Sequence, residues 1–322
     1  MNKQFFNSKI NIKLNEILEV LDIPLNEFLS INYDVNIDKI FINDFVPFKD
    51  LKENSLSFLN NTQYDFNKIF SGLCILEKKN ANILRKNIIK IPFERPKLGF
   101  SKILDFYFTK ILKDNVSVHP TAIIDDTAVI GKNVNIGPYS YIEKGVVIGD
   151  NTYIAERVSI LQNCMIGKNC IIYPGVINEC SFLEDRVKVS ANSVLGKVGF
   201  GFVPNNFKTS LMPHIGGLLI GEGTHIGSNC TIDRGFIENT VIGKSVMIDN
   251  QVHIGHNCVI DDLCILAGKV GLSGSVNLKK KVTLAGDVSI KDNVTIGANS
   301  IIAGASKVFN SFPENSIIGG HP

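Results

Sequence analysis

The chain has no tryptophan, only four methionines, and in 322 residues no uninterrupted apolar run of eighteen. A membrane-spanning helix needs about 20 apolar residues, so none is expected. The segment Met1–Lys9 also lacks the apolar core of a secretion signal. Together these absences predict a cytoplasmic protein. No charge of one sign dominates: 33 Lys and Arg stand against 31 Asp and Glu, for a net charge of +2 and a pI near 8.1. That balance gives no nucleic-acid signature. None of the seven cysteines shows a CxxC spacing, which speaks against a zinc knuckle or a disulfide framework. No metal and no cofactor is expected.

What is present is a six-residue period. From Ile242, steps of six meet Ile248, Ile254, Ile260, Leu266, Leu272, Leu278, Leu284, Ile290, Ile296 and Ile302 without a miss. If about a third of residues were aliphatic, such a run would arise by chance on the order of once in 10⁵ trials. Val118 to Ile172 repeats the pattern. Two positions before each aliphatic residue stands a small or β-branched one, such as Val134, Ser140, Thr152, Val246 and Val252. Cys164, Cys170, Cys230, Cys258 and Cys264 occupy this column too, which explains them as buried small hydrophobes. Residues i−2 and i share one side of a strand. The residue after the aliphatic one is often glycine, as at Gly131, Gly149 and Gly255, which suits a turn with unusual dihedrals. Short strand and turn in alternation predict a parallel β-helix, with three hexapeptides per coil and residues 18 apart stacked one above the other.

Residues 1–96 lack the period and read as a small α/β domain, with a helix around Asn11–Leu21. A connecting helix is expected over 97–114, the β-helix over 115–304 and a short tail over 305–322. A phase slip falls near Pro174-Gly175, and Gly196–Gly217 breaks the array as a projecting loop. His256 stands two past the interior residue Ile254, outside the core column, and Gly274 follows 18 residues later, one coil away. A histidine is matched to proton transfer near neutral pH, and a backbone N–H one coil away could face the same reacting group. His253 alternates to the outside of its strand, and His214 lies in the long loop. Phe58, Asn61 and Tyr64, three apart, offer an aromatic, an amide and an aromatic that could stack on and hydrogen-bond a base; two core aromatics and a turn asparagine are the alternative.

Gly199-Phe-Gly-Phe202, Thr231-Ile-Asp-Arg-Gly235, Asp249-Asn-Gln-Val252, Gly255-His-Asn257 and Gly271-Leu-Ser-Gly-Ser275 occur in that order, preceded by Ser57-Phe-Leu-x-Asn-x-x-Tyr64. This ordered set resembles the UDP-3-O-acylglucosamine N-acyltransferase family of lipid A biosynthesis over nearly the whole chain. The resemblance implies a left-handed β-helix and a homotrimer with sites between neighbouring prisms. It implies transfer of a (R)-3-hydroxyacyl group from acyl carrier protein to the 2-amine of UDP-3-O-(3-hydroxyacyl)-glucosamine. By position it assigns His256 as general base, Asp249 as the acidic residue that positions it, Asn250 beside it, and the Gly274 N–H as oxyanion donor. It assigns Phe58, Asn61 and Tyr64 to uracil. Asn293 stands where the family commonly has a second histidine, so an arm-holding role there falls to an amide or lapses. Family members commonly carry a C-terminal docking helix, whereas this sequence closes at Gly320-His-Pro322. Three alternatives stay open: an acetyl-CoA-dependent sugar N-acetyltransferase, a zinc carbonic anhydrase drawing on His225, and a trimeric scaffold.

Overall fold

The computed structural model describes residues 10–33, 35–60, 64–113, 117–204 and 207–321. Two compact units divide at Asp114 and Asn115.

The first unit holds a four-stranded parallel sheet of Asp44–Phe45, Ser55–Phe58, Gly72–Leu76 and Ile88–Pro92. Alternation along the strands sends Leu56, Leu73, Ile75 and Ile91 to one face and Cys74, Leu76 and Ile88 to the other. The first cluster also takes in Leu14, Ile17 and Leu18 from the helix Leu14–Val20 and Ile103 and Tyr107 from the helix Pro96–Lys113. Helix Pro96–Lys113 is therefore part of this unit's core.

The second unit is a left-handed parallel β-helix of three sheets with ten, nine and ten strands. Most strands are two residues long, and each pairs with the strand one coil away, as Tyr141 with Ser159 and Ile142 with Ile160. The aliphatic and small columns fill the interior: Val134, Ile136, Ile142, Val146, Ile148 and their successors are buried in one continuous cluster. Hydroxyls in the small column stay satisfied by donating to carbonyls of the next coil, Ser140 Oγ to Ala155 at 2.7 Å and Thr152 Oγ1 to Gly167 at 2.8 Å. Burial pushes the Cys258 thiol up to about 12 and those of Cys170 and Cys264 to about 11, so these are packing groups and not nucleophiles.

Three expectations need correction. The glycines after the aliphatic column do not take left-handed dihedrals. Positive φ falls two residues further on, as at Asn133, Asn151 and Asn257, and asparagine tolerates that region. The glycine answers to close approach instead: a Cβ on Gly149 would lie 2.7 Å from the Gly167 carbonyl carbon. The phase slip lies between Asn178 and Leu183, where the coil shortens so that Met165 pairs with Phe182. Asn178 occupies the aliphatic column, 1% exposed, with its Oδ1 accepting from Ser181 Oγ at 2.6 Å, and a polar residue in that column hides the register. The segment 305–322 adds strands to the prism: Lys307–Val308 pairs with Ser289–Ile290, and Ile317–Ile318 with Ile301–Ile302. Val308 and Ile318 continue the interior, and one shortened coil accounts for the lost periodicity.

Leu266 is fully buried between Ile248 and Leu284 in the ladder. Leu266→Ala is expected to cost about 2–5 kcal/mol, since the stacked coils limit collapse onto the cavity. Urea denaturation followed by circular dichroism checks this.

Candidate active site

His256 stands at a corner of the prism immediately after strand His253–Ile254. Two glycines make room for it. A Cβ on Gly274 would lie 2.8 Å from both Cε1 and Nε2 of the ring, and one on Gly199 would lie 2.8 Å from His256 Cβ. Residue 274 pairs into the coil directly after that of His256, since Gly271 and Leu272 stack on His253 and Ile254. The 18-residue spacing thus brings base and glycine together. The Gly274 carbonyl accepts from Asn293 N at 3.1 Å, whereas no backbone acceptor among the described residues takes its N–H.

The hydrogen bonds fix which ring nitrogen is basic. Asn257 Oδ1 accepts from the Phe236 N–H at 3.0 Å, and Asn257 Nδ2 donates to the Glu238 carbonyl at 3.3 Å. The amide oxygen therefore faces His256 Nδ1, 2.9 Å away, and Nδ1 must carry the proton to donate to it. Nε2 is left with its lone pair, on the side of Gly274. Asn257 orients the ring, a role not read from the sequence. The signal in the sequence is its place two residues after Gly255, as Asn133 stands after Gly131 and Asn151 after Gly149, and its backbone there takes a φ of 59°.

A cavity of about 750 Å³ opens beside the ring, lined among others by Phe200, Asp233, His253, His256, Gly274 and Asn293. Phe200 and Phe202 come from the long loop, whose hairpin pairs Phe202–Pro204 with Thr209–Leu211. His253 reaches the cavity from the outside of its strand, with Nδ1 2.8 Å from Thr231 Oγ1 and Nε2 4.0 Å from Asp233 Oδ2. His214, 3% exposed, packs its ring edge-on to His256 at 5.1 Å and donates from Nδ1 to the Met212 carbonyl. Burial raises the Asp233 carboxyl above the usual range, opposed by the charges of His253, Lys197, His256 and His214.

Sequence comparison finds the repeat named. Residues 239–274 match the family described as bacterial transferase hexapeptide (six repeats), and residues 287–306 the hexapeptide repeat of succinyl-transferase. Residues 112–199 match the GMPPB C-terminal domain. The UDP-3-O-acylglucosamine N-acyltransferase of Acinetobacter baylyi is 38% identical over 230 residues, covering 70% of this chain and 63% of the relative. The chain is a hexapeptide-repeat homologue of these acyltransferases. The enzyme of the same name from Leptospira biflexa is 39% identical over 111 residues, 34% of this chain and 30% of the relative. The chain thus spans less than two thirds of the length of the curated relatives it matches. Among solved structures, the Arabidopsis UDP-N-acetylglucosamine acyltransferase superposes with a TM-score of 0.53 at 28% identity, covering 59% of this chain and 66% of that one.

In this hexapeptide-repeat homologue the other expected residues fall in different places. Asp249 and Asn250 follow strand Met247–Ile248, which belongs to another sheet than His253–Ile254, so they turn a different corner of the prism. Asn250 Nδ2 donates to Asp249 Oδ1 at 2.9 Å, and neither residue lines the His256 cavity. Within one chain, the buried carboxylate beside the histidines is Asp233. Asn293 lines the cavity and donates to Asp292 Oδ2 at 2.9 Å. Phe58 packs against Phe100, with ring centroids 5.0 Å apart, and Tyr64 against Phe48 at 4.9 Å. The two rings thus join different aromatic contacts, and Asn61 lies outside the described residues. His225 belongs to the sheet of Met247, away from His253. Among the described residues no three His, Cys, Asp or Glu side chains are grouped to hold a metal ion, and no helix is long and apolar enough to cross a membrane.

Proposed function

We propose that the chain is a UDP-3-O-acylglucosamine N-acyltransferase: it transfers a (R)-3-hydroxyacyl group from acyl carrier protein to the 2-amine of UDP-3-O-(3-hydroxyacyl)-glucosamine. The observation that carries this reading is the bare Nε2 of His256 set against the Gly274 backbone in an open cavity. Thioester aminolysis needs a base as the N–C bond forms and a donor for the developing oxyanion. His256 takes the amine proton on Nε2, and the Gly274 N–H meets the oxyanion. The names of the curated relatives support the acceptor. Phe58, Asn61 and Tyr64 are the proposed uracil contacts. Asn250 and Asn293 are proposed polar contacts, Asn293 to the carrier's arm.

A homotrimer belongs to the same reading. Along the nine-stranded sheet, the outward residues Val129, Val147, Met165, Phe182, Leu219, Val241 and Val259 stack in one column. Val129, Met165 and Phe182 are 59%, 46% and 39% exposed. A contiguous apolar face of this kind suits an interface between copies. The enzyme is placed in the cytoplasm, where acyl carrier protein is found, and needs no cofactor beyond its acyl donor. Incubation of the purified protein with UDP-3-O-(3-hydroxyacyl)-glucosamine and a panel of 3-hydroxyacyl carrier proteins is expected to give the N-acylated product, with acetyl-CoA inert. Product from acetyl-CoA alone would reassign the donor.

A further inference from the structure

Resting on the proposed acyl transfer, the structure assigns a second group to the base: we propose that Asp233 is the carboxylate that stabilises the His256 imidazolium, acting through space as a positioning residue. In the transfer the amine nitrogen bonds to the thioester carbon, its proton passes to His256 Nε2, and the C–S bond breaks. The same proton then leaves with the departing thiolate. Between these two events the ring carries a positive charge in a cavity lined by Phe200 and Phe202, and a buried anion nearby, shared with His253 and Lys197, lowers the energy of that state.

The placement of Asp233 follows from the register. Ile232 pairs with Ile254, so the next residue, Asp233, lies one coil below Gly255 and adjoins the corner that carries His256. On the other side it pairs with Lys197. Asp233 is 6% exposed and lines the cavity with both His253 and His256. The remaining titratable groups around the ring are His214 from the long loop, Asp292 from the coil above and Glu238 from the 234–239 insertion. Arg234 is engaged elsewhere, donating to Glu179 Oε1 at 3.1 Å and to the His214 carbonyl at 3.0 Å. Of the three carboxylates, Asp233 alone is buried, where screening by solvent is weakest.

A buried carboxylate with a raised titration point weakens the fold at neutral pH. The penalty is absent below the ordinary carboxylate range, grows as pH rises from there and is complete above the folded value. A residue kept at that cost is better explained by function than by stability. Asp233→Asn should therefore melt at the same or a higher temperature than the wild type. It should lower kcat/KM about tenfold and move the ascending limb of its pH profile about one unit to lower pH, while Asp233→Glu restores both. Asp249→Asn should leave the limb in place. A second measurement stands apart from turnover: in a carbon-13 carboxyl titration, Asp233 should titrate above ordinary carboxylates, and His256→Gln should move it higher still, because a coupling is felt equally from both sides. An Asp233 titration indifferent to His256→Gln, an unmoved limb in Asp233→Asn, or a limb moved by Asp249→Asn instead would each overturn the assignment. A wild type inert towards acyl carrier protein donors but showing the coupled titration would leave the Asp233 assignment standing and count against the proposed reaction alone.

Discussion

Replacing His256 by alanine is expected to lower single-turnover acyl transfer by about 10²–10⁴, the usual worth of a positioned general base, while the fold survives. The ring is half-buried at a corner and contributes nothing to the aliphatic interior. Its removal leaves Asn257 Oδ1 with the Phe236 N–H as donor, so no buried acceptor is orphaned. Affinity for the UDP-sugar should persist, because binding and proton transfer are separate tasks. Unchanged turnover would sink the base assignment and revive a scaffold role for the prism.

Gly274→Ala is expected to cost about 10² in kcat through displacement of the ring, since misplacing a reacting group by about 1 Å has effects of that order. The added methyl would sit 2.8 Å from Cε1 and Nε2 of His256, closer than van der Waals contact allows. The substitution keeps the backbone N–H, so the loss reports the base and not a missing oxyanion donor. It should accordingly be non-additive: in a His256→Ala background, Gly274→Ala should cost little more. Equal losses in both backgrounds, measured by single-turnover kinetics, would show that residue 274 acts independently of the ring.

Much of the prism was legible because its interior is one column of aliphatic side chains with an unbroken spacing, from Ile242 to Ile302. Stacking of His256 and Gly274 followed from the same count. Legibility failed wherever a polar residue entered the column or a coil changed length. Asn178 masked the slip, and the short last coil made Val308 and Ile318 look like a tail. Asp233 escaped notice for a related reason: the insertion at 234–239 stretches its coil, so that Thr231 meets His253 at a separation of 22, and counting by 18 leads past it. Asp249 sits seven residues before His256 in sequence, but the chain turns a corner between them. Nothing in the spacing of Phe58 and Tyr64 indicated that one ring would settle on Phe100 and the other on Phe48.

The main-chain bonds of the prism run from coil to coil, so each coil is held by its two neighbours and by little else. Among the described residues the outermost strands of each sheet pair on one side alone, and opening of such a stack begins where a neighbour is lacking. Strand His253–Ile254 is fourth from the C-terminal end of its sheet, with six strands on the other side. Its amides should therefore exchange with deuterium only after the terminal coils have peeled away, although the histidine itself faces an open cavity. The proposed base thus sits on the slow-opening middle of the β-helix, insulated from the fraying of its outer coils.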